Sequence, residues 1–157
     1  MKPMLAILAC VTLAAAAPPA KLTVTKTLDI GAAPKAVWQT IGGFCGIGDW
    51  HPAIERCVLT SVKRSPQRQL SLRGGGTIVE KQVGRDAARM RYTYTILSGP
   101  LPVAHYVSTL SVARKGAGST VTWTGTFEAA GAPDEAARAA IEGVYSSGLQ
   151  GLADKVG

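Results

Sequence analysis

The residues best suited to chemistry lie in one stretch, FCGIGDWHPAIERC, at positions 44–57. His51 stands in its middle. Imidazole titrates near neutral pH, so His51 could act as a general acid or base with Asp49 or Glu55 orienting it. A histidine before a proline at a helix end can also cap backbone groups, or it can contact a ligand. No serine occupies a G-x-S-x-G context, which counts against the catalytic role. All three roles of His51 nevertheless stay open.

The N-terminus resembles a secretory signal peptide. Met1 and Lys2 give a short positive start, and an uncharged, alanine-rich apolar run follows. Ala14 and Ala16 form an A-x-A pattern, so we expect cleavage after position 16. Residues 1–16 are therefore the predicted signal peptide, 17–21 a short linker, and 22–157 the folded domain. The apolar run is shorter than the about 20 residues of a permanent membrane helix, which predicts a mature protein without a transmembrane segment.

Two of the three cysteines, Cys45 and Cys57, bracket the 44–57 stretch and remain after cleavage. An even number of cysteines in an exported chain favours a disulfide between them. The alternative is two buried free thiols that pack as small hydrophobic groups. The two histidines, His51 and His105, lack the spacing of a metal motif, so we predict no metal and no other cofactor.

The composition is that of one globular domain, with 46% hydrophobic and 17% charged residues over 157 positions. One of the 17 basic residues is Lys2, so the mature chain carries a net charge of +6 instead of +7. The charges are dispersed and have little aromatic interleaving, which favours solvated strand faces and hairpin ends over nucleic-acid binding. The residues in question are Lys63, Arg64, Arg68, Arg73, Lys81, Arg85, Arg89, Arg91, Arg114 and Lys115.

Hydrophobic periodicity predicts the elements that position these residues. Alternation predicts strands at 22–30, 54–61, 69–73, 77–84, 89–97, 105–114 and 119–128. A helix begins near Pro34 and ends at Gly42-Gly43, and one helical turn covers 47–50. Apolar residues at steps of three and four from Ile141 to Val156 predict a long amphipathic C-terminal helix. The order favours an α+β domain with helices on one side of a curved antiparallel sheet.

Four segments carry a family resemblance: AVWQTIGGFCGIGDWHPAIERC, LRGGGTIVEKQ, MRYTYTILSGPLPVAHYVSTLSV and GVYSSGLQGL. From about Leu22 to Leu152 the chain resembles the START-like (birch-pollen-allergen-like) superfamily. In particular it resembles the SRPBCC group of polyketide cyclase/dehydrase and lipid-transport-like proteins. The resemblance implies a helix-grip fold, in which about seven strands in the order β-α-α-β6-α curl around the long C-terminal helix.

The resemblance also implies a cavity between the sheet and that helix. Buried tyrosine hydroxyls need hydrogen-bond partners, so a lining of tyrosines suits an amphipathic ligand. The expected ligand-binding residues are Trp50, His51, Tyr92, Tyr94, Tyr106, Trp123, Tyr145 and Leu149.

Three functions fit these expectations. The leading hypothesis is an exported, periplasmic binding protein that holds a small hydrophobic or amphipathic molecule. An enzyme is the second, a polyketide cyclase or dehydratase with His51 and a cavity tyrosine as acid and base. The third is an accessory protein of a periplasmic dehydrogenase system, because the positive charge suits an acidic protein partner.

Overall fold

A computed structural model describes residues 20–62 and 65–157. The predicted signal peptide at 1–16 lies outside the described residues, as do linker positions 17–19. The elements are β1 Lys21–Ile30, α1 Pro34–Ile41, α2 Ile47–Trp50, β2 Ile54–Val62, β3 Ser65–Leu72, β4 Thr77–Asp86, β5 Arg91–Ser98, β6 Val103–Lys115, β7 Gly118–Ala129 and α3 Asp134–Val156. All strands form one antiparallel sheet in the order β1-β7-β6-β5-β4-β3-β2. This confirms the predicted helix-grip fold.

Strand β7, which lies beside the edge strand β1, shows why the alternation predicts the sheet correctly. Val121, Trp123, Gly125 and Phe127 point into the core and are buried, whereas the threonines between them lie on the half-buried outer face. The long helix α3 covers the inner face and buries the predicted stripe that includes Ile141, Tyr145, Leu149 and Leu152. The core therefore lies between the inner face of the sheet and α3.

Several strand ends differ from the prediction, and strand pairing explains why. β3 begins at Ser65, four residues before the predicted start, because its ladder with β2 continues to the pair Val62 and Ser65. β5 begins at Arg91 instead of residue 89. Met90 has a φ of 49° and belongs to the preceding turn, whose geometry is fixed by hydrogen bonds from Arg89 N to Asp86 Oδ1 and from Met90 N to Ala87 O.

An irregularity in β6 aims one important side chain inward. The register with β7 shifts between Ala104 and Val107, and His105 has a φ of 51°. Such a bulge inserts an extra residue and redirects the side chains next to it. Tyr106 points into the core as a result and is 3% exposed, while His105 stays exposed.

Different elements pack against the two edge strands of the sheet. Helix α3 packs against β1, and Arg138 Nη1 donates to Thr23 O of that edge strand at 2.8 Å. At the other edge, β2 is packed by the short helix α2 and the loop between them. The side chains around residue 51 therefore meet the sheet beside β2 and β3. Within the part of the chain described, none of the helices has the length and apolar character to cross a bilayer.

Candidate functional site

A cavity of about 110 Å³ lies between the sheet and α3, close to α2. Its walls are mostly aliphatic and aromatic. The lining residues are Ile47, His51, Ala53, Ile54, Leu70, Leu72, Ile78, Glu80, Tyr94, Ile96, Leu101, Tyr106, Trp123 and Val144. Ala53 is exposed, and Leu72 and Leu101 are half-buried. Ile96 and Val144 are half-buried as well, so Ala53, the exposed residue of the lining, marks the end nearest to solvent.

Of the residues expected to bind ligand, His51, Tyr94, Tyr106 and Trp123 line this cavity. The other four are buried in the core beside it, but they are not part of its lining: Trp50, Tyr92, Tyr145 and Leu149. Trp50 and Tyr145 pack against Trp123, with ring centroids 5.8 Å and 4.5 Å away. Trp50 and Tyr145 therefore pack behind the cavity wall, against Trp123.

Both ring nitrogens of His51 contact the backbone. Nδ1 accepts a hydrogen bond from Ala53 N at 3.2 Å, so Nε2 carries the proton and donates to Val144 O at 3.1 Å. Burial lowers the pKa of His51, and Arg68 adds to this effect, while the bond to the Val144 carbonyl opposes it. The neutral imidazole thus ties the end of α2 to α3. Of the three roles that the sequence leaves open, this geometry favours backbone capping.

A hydrogen-bonded group of four hydroxyls and one indole, the hydroxyl cluster, forms the polar part of the wall. It consists of Tyr94, Tyr106, Ser108, Trp123 and Tyr145. The oxygens of Tyr94 and Tyr106 are 3.3 Å apart, those of Tyr106 and Tyr145 2.6 Å, and those of Tyr145 and Ser108 2.9 Å. Trp123 Nε1 donates to Tyr94 and Ser108. The cluster joins β5, β6, β7 and α3.

The tyrosines of the hydroxyl cluster are neutral phenols. Burial raises the pKa of Tyr94 and Tyr106 well above the usual value, and it raises the pKa of Tyr145 to about 12. The hydrogen bonds that Tyr145 makes with Ser108 and with Tyr106 oppose this rise in its pKa. Because desolvation disfavours the phenolate, these hydroxyls serve as hydrogen-bonding groups at neutral pH.

Arg68 and Glu80 form a second polar group, the buried ion pair. Their Nε and Oε2 atoms are 2.5 Å apart, and the two side chains are 0% and 6% exposed. Arg68 Nη1 also donates to Phe44 O, and the guanidinium lies over the rings of Phe44 and Tyr94. The prediction that Arg68 is a solvated charge is therefore wrong. The β3–β4 ladder aligns it with Glu80, and both side chains face the core.

The two charges of the buried ion pair stabilise each other against desolvation. Burial raises the pKa of Glu80, and Arg68 opposes this shift. Burial alone would lower the pKa of Arg68, but Glu80 and the neighbouring tyrosines raise it overall. Glu80 lines the cavity, whereas Arg68 stands behind it. The cavity wall thus contains one carboxylate that has a fixed cationic partner.

A disulfide joins Cys45 and Cys57, as the sequence analysis predicts. It closes a loop that contributes Ile47, His51 and Ile54 to the cavity. No cluster of three or more histidine, cysteine or acidic side chains that could hold a metal ion occurs within residues 20–62 and 65–157.

Sequence reasoning missed the aliphatic part of the wall and Glu80. The missed lining residues are Ile47, Ala53, Ile54, Leu70, Leu72, Ile78, Glu80, Ile96, Leu101 and Val144. A usable signal was present in β3 and β4, because residues 68, 70 and 72 and residues 78 and 80 share one parity each. An arginine and a glutamate on two adjacent apolar faces indicate a buried pair.

Comparisons with known proteins agree with this architecture. The family model described as polyketide cyclase / dehydrase and lipid transport matches residues 21–157. No curated protein sequence matches the chain.

Solved structures similar to this chain cover most of its length. The protein XoxI from Bacillus cereus is 36% identical with a TM-score of 0.80, over 85% of this chain and 94% of that one. A protein from Bacillus thuringiensis is 35% identical with a TM-score of 0.80, over 86% and 98%. The Zhui aromatase/cyclase from Streptomyces sp. R1128 is 20% identical with a TM-score of 0.72, over 87% and 94%, and shows the shared fold. This chain belongs to the polyketide cyclase/dehydrase and lipid-transport family.

Proposed function

We propose that this protein is an exported binding protein that holds a small hydrophobic or amphipathic molecule between the sheet and α3. The observation that carries the proposal is the cavity of about 110 Å³, walled by aliphatic and aromatic side chains inside an otherwise packed core. Protein interiors rarely keep voids larger than a water molecule, because close packing is favourable. An apolar cavity with a few convergent polar groups is the usual form of a ligand site.

The size of the cavity suggests the size of the ligand. Dry apolar cavities of about 150 Å³ bind benzene. At about 110 Å³ this cavity is smaller, so a molecule with one ring, or a short branched chain, is the largest class that its enclosed part suits. A longer amphipathic ligand would extend past Ala53, Leu72 and Leu101, where the wall is incompletely buried.

The disulfide supports the export part of the proposal. Disulfides persist in oxidising compartments and are rare in the cytosol, and Cys45 and Cys57 are bonded. Together with the predicted signal peptide at 1–16, this pairing favours a periplasmic location. Cell fractionation of the full chain, with mass analysis of the new N-terminus and of both cysteines, tests it. A full-length chain with free thiols in the cytosol would contradict it.

Binding is tested by titrating the purified protein with toluene in a calorimeter and by measuring the toluene-dependent rise in Tm. Ile96→Phe fills the cavity from a half-buried position and should lower toluene affinity more than about tenfold, equal to about 1.4 kcal/mol. Leu97→Phe is the matched control, because Leu97 is the next residue on β5 and is 51% exposed. A wild-type protein that neither binds toluene nor gains stability from it would overturn the proposal.

The enzymatic alternative has less support from the same geometry. A cyclase or dehydratase would use His51 as acid or base, but both ring nitrogens already contact backbone groups. A proton transfer through His51 would first require the loss of its bond to Ala53 or Val144. Turnover of an aromatic polyketide that disappears in His51→Asn, with ligand binding retained, would reverse this preference.

A further inference from the structure

The hydroxyl cluster has a fixed direction of hydrogen bonding. At one end Ser108 Oγ lies 3.0 Å from Thr124 O, a backbone carbonyl that can only accept. Between Tyr94 and that carbonyl there are four oxygen–oxygen contacts, and the four hydroxyls supply four protons. All four contacts are hydrogen bonds only if each hydroxyl donates toward the carbonyl. The order is then Tyr94, Tyr106, Tyr145, Ser108 and Thr124 O.

The direction of these hydrogen bonds determines which hydrogen-bonding groups of the cavity wall remain available to a ligand. Tyr94 and Tyr106 are the hydroxyl-bearing members that line the cavity, and both direct their protons deeper into the cluster. Trp123 also lines it, but its Nε1 proton is shared between Tyr94 and Ser108. The protons of the hydroxyl cluster are therefore all used within it, and the hydrogen-bonding capacity that Tyr94 and Tyr106 retain is that of an acceptor.

The remaining polar side chains of the lining have the same character. Glu80 accepts from Arg68 through Oε2, and no described residue donates to its Oε1. His51 uses its Nε2 proton for Val144 O. Buried donors without a partner do occur among the described residues, namely Trp50 Nε1, Arg68 Nη2 and Gln82 Nε2, but these residues are not part of the lining.

We infer that the cavity selects an apolar molecule that carries a hydrogen-bond donor, an alcohol or a phenol, over analogues of similar size that carry only acceptors. The inference rests on the proposed binding function. A donor group satisfies the lone pairs of Glu80 or Tyr94, whereas a ketone, aldehyde or ether oxygen meets other acceptors and loses its hydrogen bonds to water. Unmade hydrogen bonds of buried groups are costly, and sites built for a hydroxyl discriminate strongly against analogues that lack it.

The test compares the affinities of phenol and benzaldehyde by calorimetry at pH 8, with toluene as the apolar reference. Phenol should bind the wild-type protein at least about tenfold more tightly than benzaldehyde. Glu80→Gln replaces the carboxylate by an amide that can also donate. In this variant we expect benzaldehyde to gain affinity relative to phenol.

Tyr145→Phe is the sharper variant, because Tyr145 is outside the lining. It removes the acceptor of Tyr106 at 2.6 Å, so Tyr106 can reverse and donate to Tyr94, which then releases its proton toward the cavity. The preference for phenol over benzaldehyde should fall several-fold. Ser119→Ala is the control, since Ser119 is a buried residue whose hydroxyl bonds Ala32 O outside the hydroxyl cluster, and it should keep the wild-type preference.

The outcomes separate the inference from the proposed function. If toluene binds but phenol is not preferred over benzaldehyde, the inference is overturned and the binding function stands. If none of the three probes binds, both the inference and the proposed binding function are overturned. An unchanged phenol preference in Glu80→Gln and in folded Tyr145→Phe would also overturn the inference, because the preference would then not come from these acceptors.

Discussion

Two groups of buried polar side chains flank the cavity, and they differ in charge and in how completely they are satisfied. The hydroxyl cluster on β5, β6, β7 and α3 is neutral, and each of its hydroxyls and its indole takes part in a hydrogen bond. The buried ion pair on β3 and β4 is charged, and Arg68 Nη2 has no partner among the described residues.

The difference shows that one core can bury polar side chains in two ways, as a neutral hydrogen-bonded network or as an ion pair. Neutral hydroxyls cost little to bury once they are bonded, and a complete network makes the packing more specific. A buried ion pair is costly to desolvate, and its mutual attraction only roughly compensates. The ion pair should therefore be the more damaging group to break and the easier one to replace as a whole. Three variants test this contrast, and a fourth tests the neutral state of His51 beside them.

The largest expected effect is that of Glu80→Ala. The change leaves the guanidinium of Arg68 buried without its carboxylate, which should lower the free energy of unfolding by about 3–5 kcal/mol. Urea denaturation measures the loss. Glu142→Ala is the surface control, because Glu142 is 3.9 Å from Lys26 and half-exposed, and it should cost about 0–1 kcal/mol. Equal losses in the two variants would contradict the assignment of a buried pair.

Tyr145→Phe should have an intermediate effect. It removes the hydroxyl that bonds both Tyr106 and Ser108. The lost bonds of buried neutral groups should lower the free energy of unfolding by about 1–3 kcal/mol. Denaturation under the conditions used for Glu80→Ala allows a direct comparison. A loss larger than that of Glu80→Ala would reverse the ranking of the two polar groups.

A smaller, pH-dependent effect is expected at His51, whose pKa is lowered mainly by burial. The unfolded chain therefore takes up a proton at His51 before the folded protein does, and the stability from the neutral imidazole is lost as pH falls from about 6.5 toward the folded pKa. The stability difference between wild type and His51→Asn should narrow over this window, by at most about 1.4 kcal/mol per pH unit.

Denaturation of both proteins between pH 7.5 and about 5 measures this difference. The opposing titration of Glu80 cancels because it is present in both. His105→Asn is the control, since His105 is the other histidine of the chain and is exposed. A difference between wild type and His51→Asn that stays constant with pH would show that His51 is not held neutral by the fold.

The smallest effect is expected when the whole ion pair is replaced. The double variant Arg68→Met with Glu80→Leu exchanges both charges for apolar groups of similar volume. Such replacements are often neutral or stabilising, so its free energy of unfolding should lie within about 1 kcal/mol of wild type or above it. A double variant as unstable as Glu80→Ala would mean that the ion pair contributes more than mutual compensation of its charges.

The same contrast shows how much of this molecule its sequence could reveal. The hydroxyl cluster lies on strands with clean alternation, so the inward direction of Tyr94 and Trp123 follows from parity alone. The ion pair lies on β3 and β4. On β3 the parity of Arg68, Leu70 and Leu72 indicates the buried face, but on β4 Ile78 and Glu80 alternate with Val79 and Lys81, so the two faces of that strand look similar. The buried face of β4 follows only from its pairing with β3, and pairing is a long-range property.

The cavity itself was the least predictable feature. The family resemblance implies it, but its boundary depends on which side chains touch. Tyr145 and Leu149 were expected in the lining because they lie on the inner stripe of α3, yet Val144 is the α3 residue that reaches it. Helix periodicity predicts the buried side of α3 to within one residue. That precision is too coarse to distinguish residues that line the cavity from residues that pack behind the lining.

Close contacts at three glycines suggest how the cavity could be enlarged by design. A β-carbon at Gly148 would lie 2.6 Å from His51, one at Gly151 would collide with Trp50 O, and one at Gly125 would collide with the hydroxyl of Tyr145. At these glycines helix α3 and the groups facing it are in such close contact that a larger side chain would have no space. An engineer who wants this scaffold to accept bulkier molecules should trim Leu72 or Leu101 at the opposite, partly exposed end and leave the helix untouched.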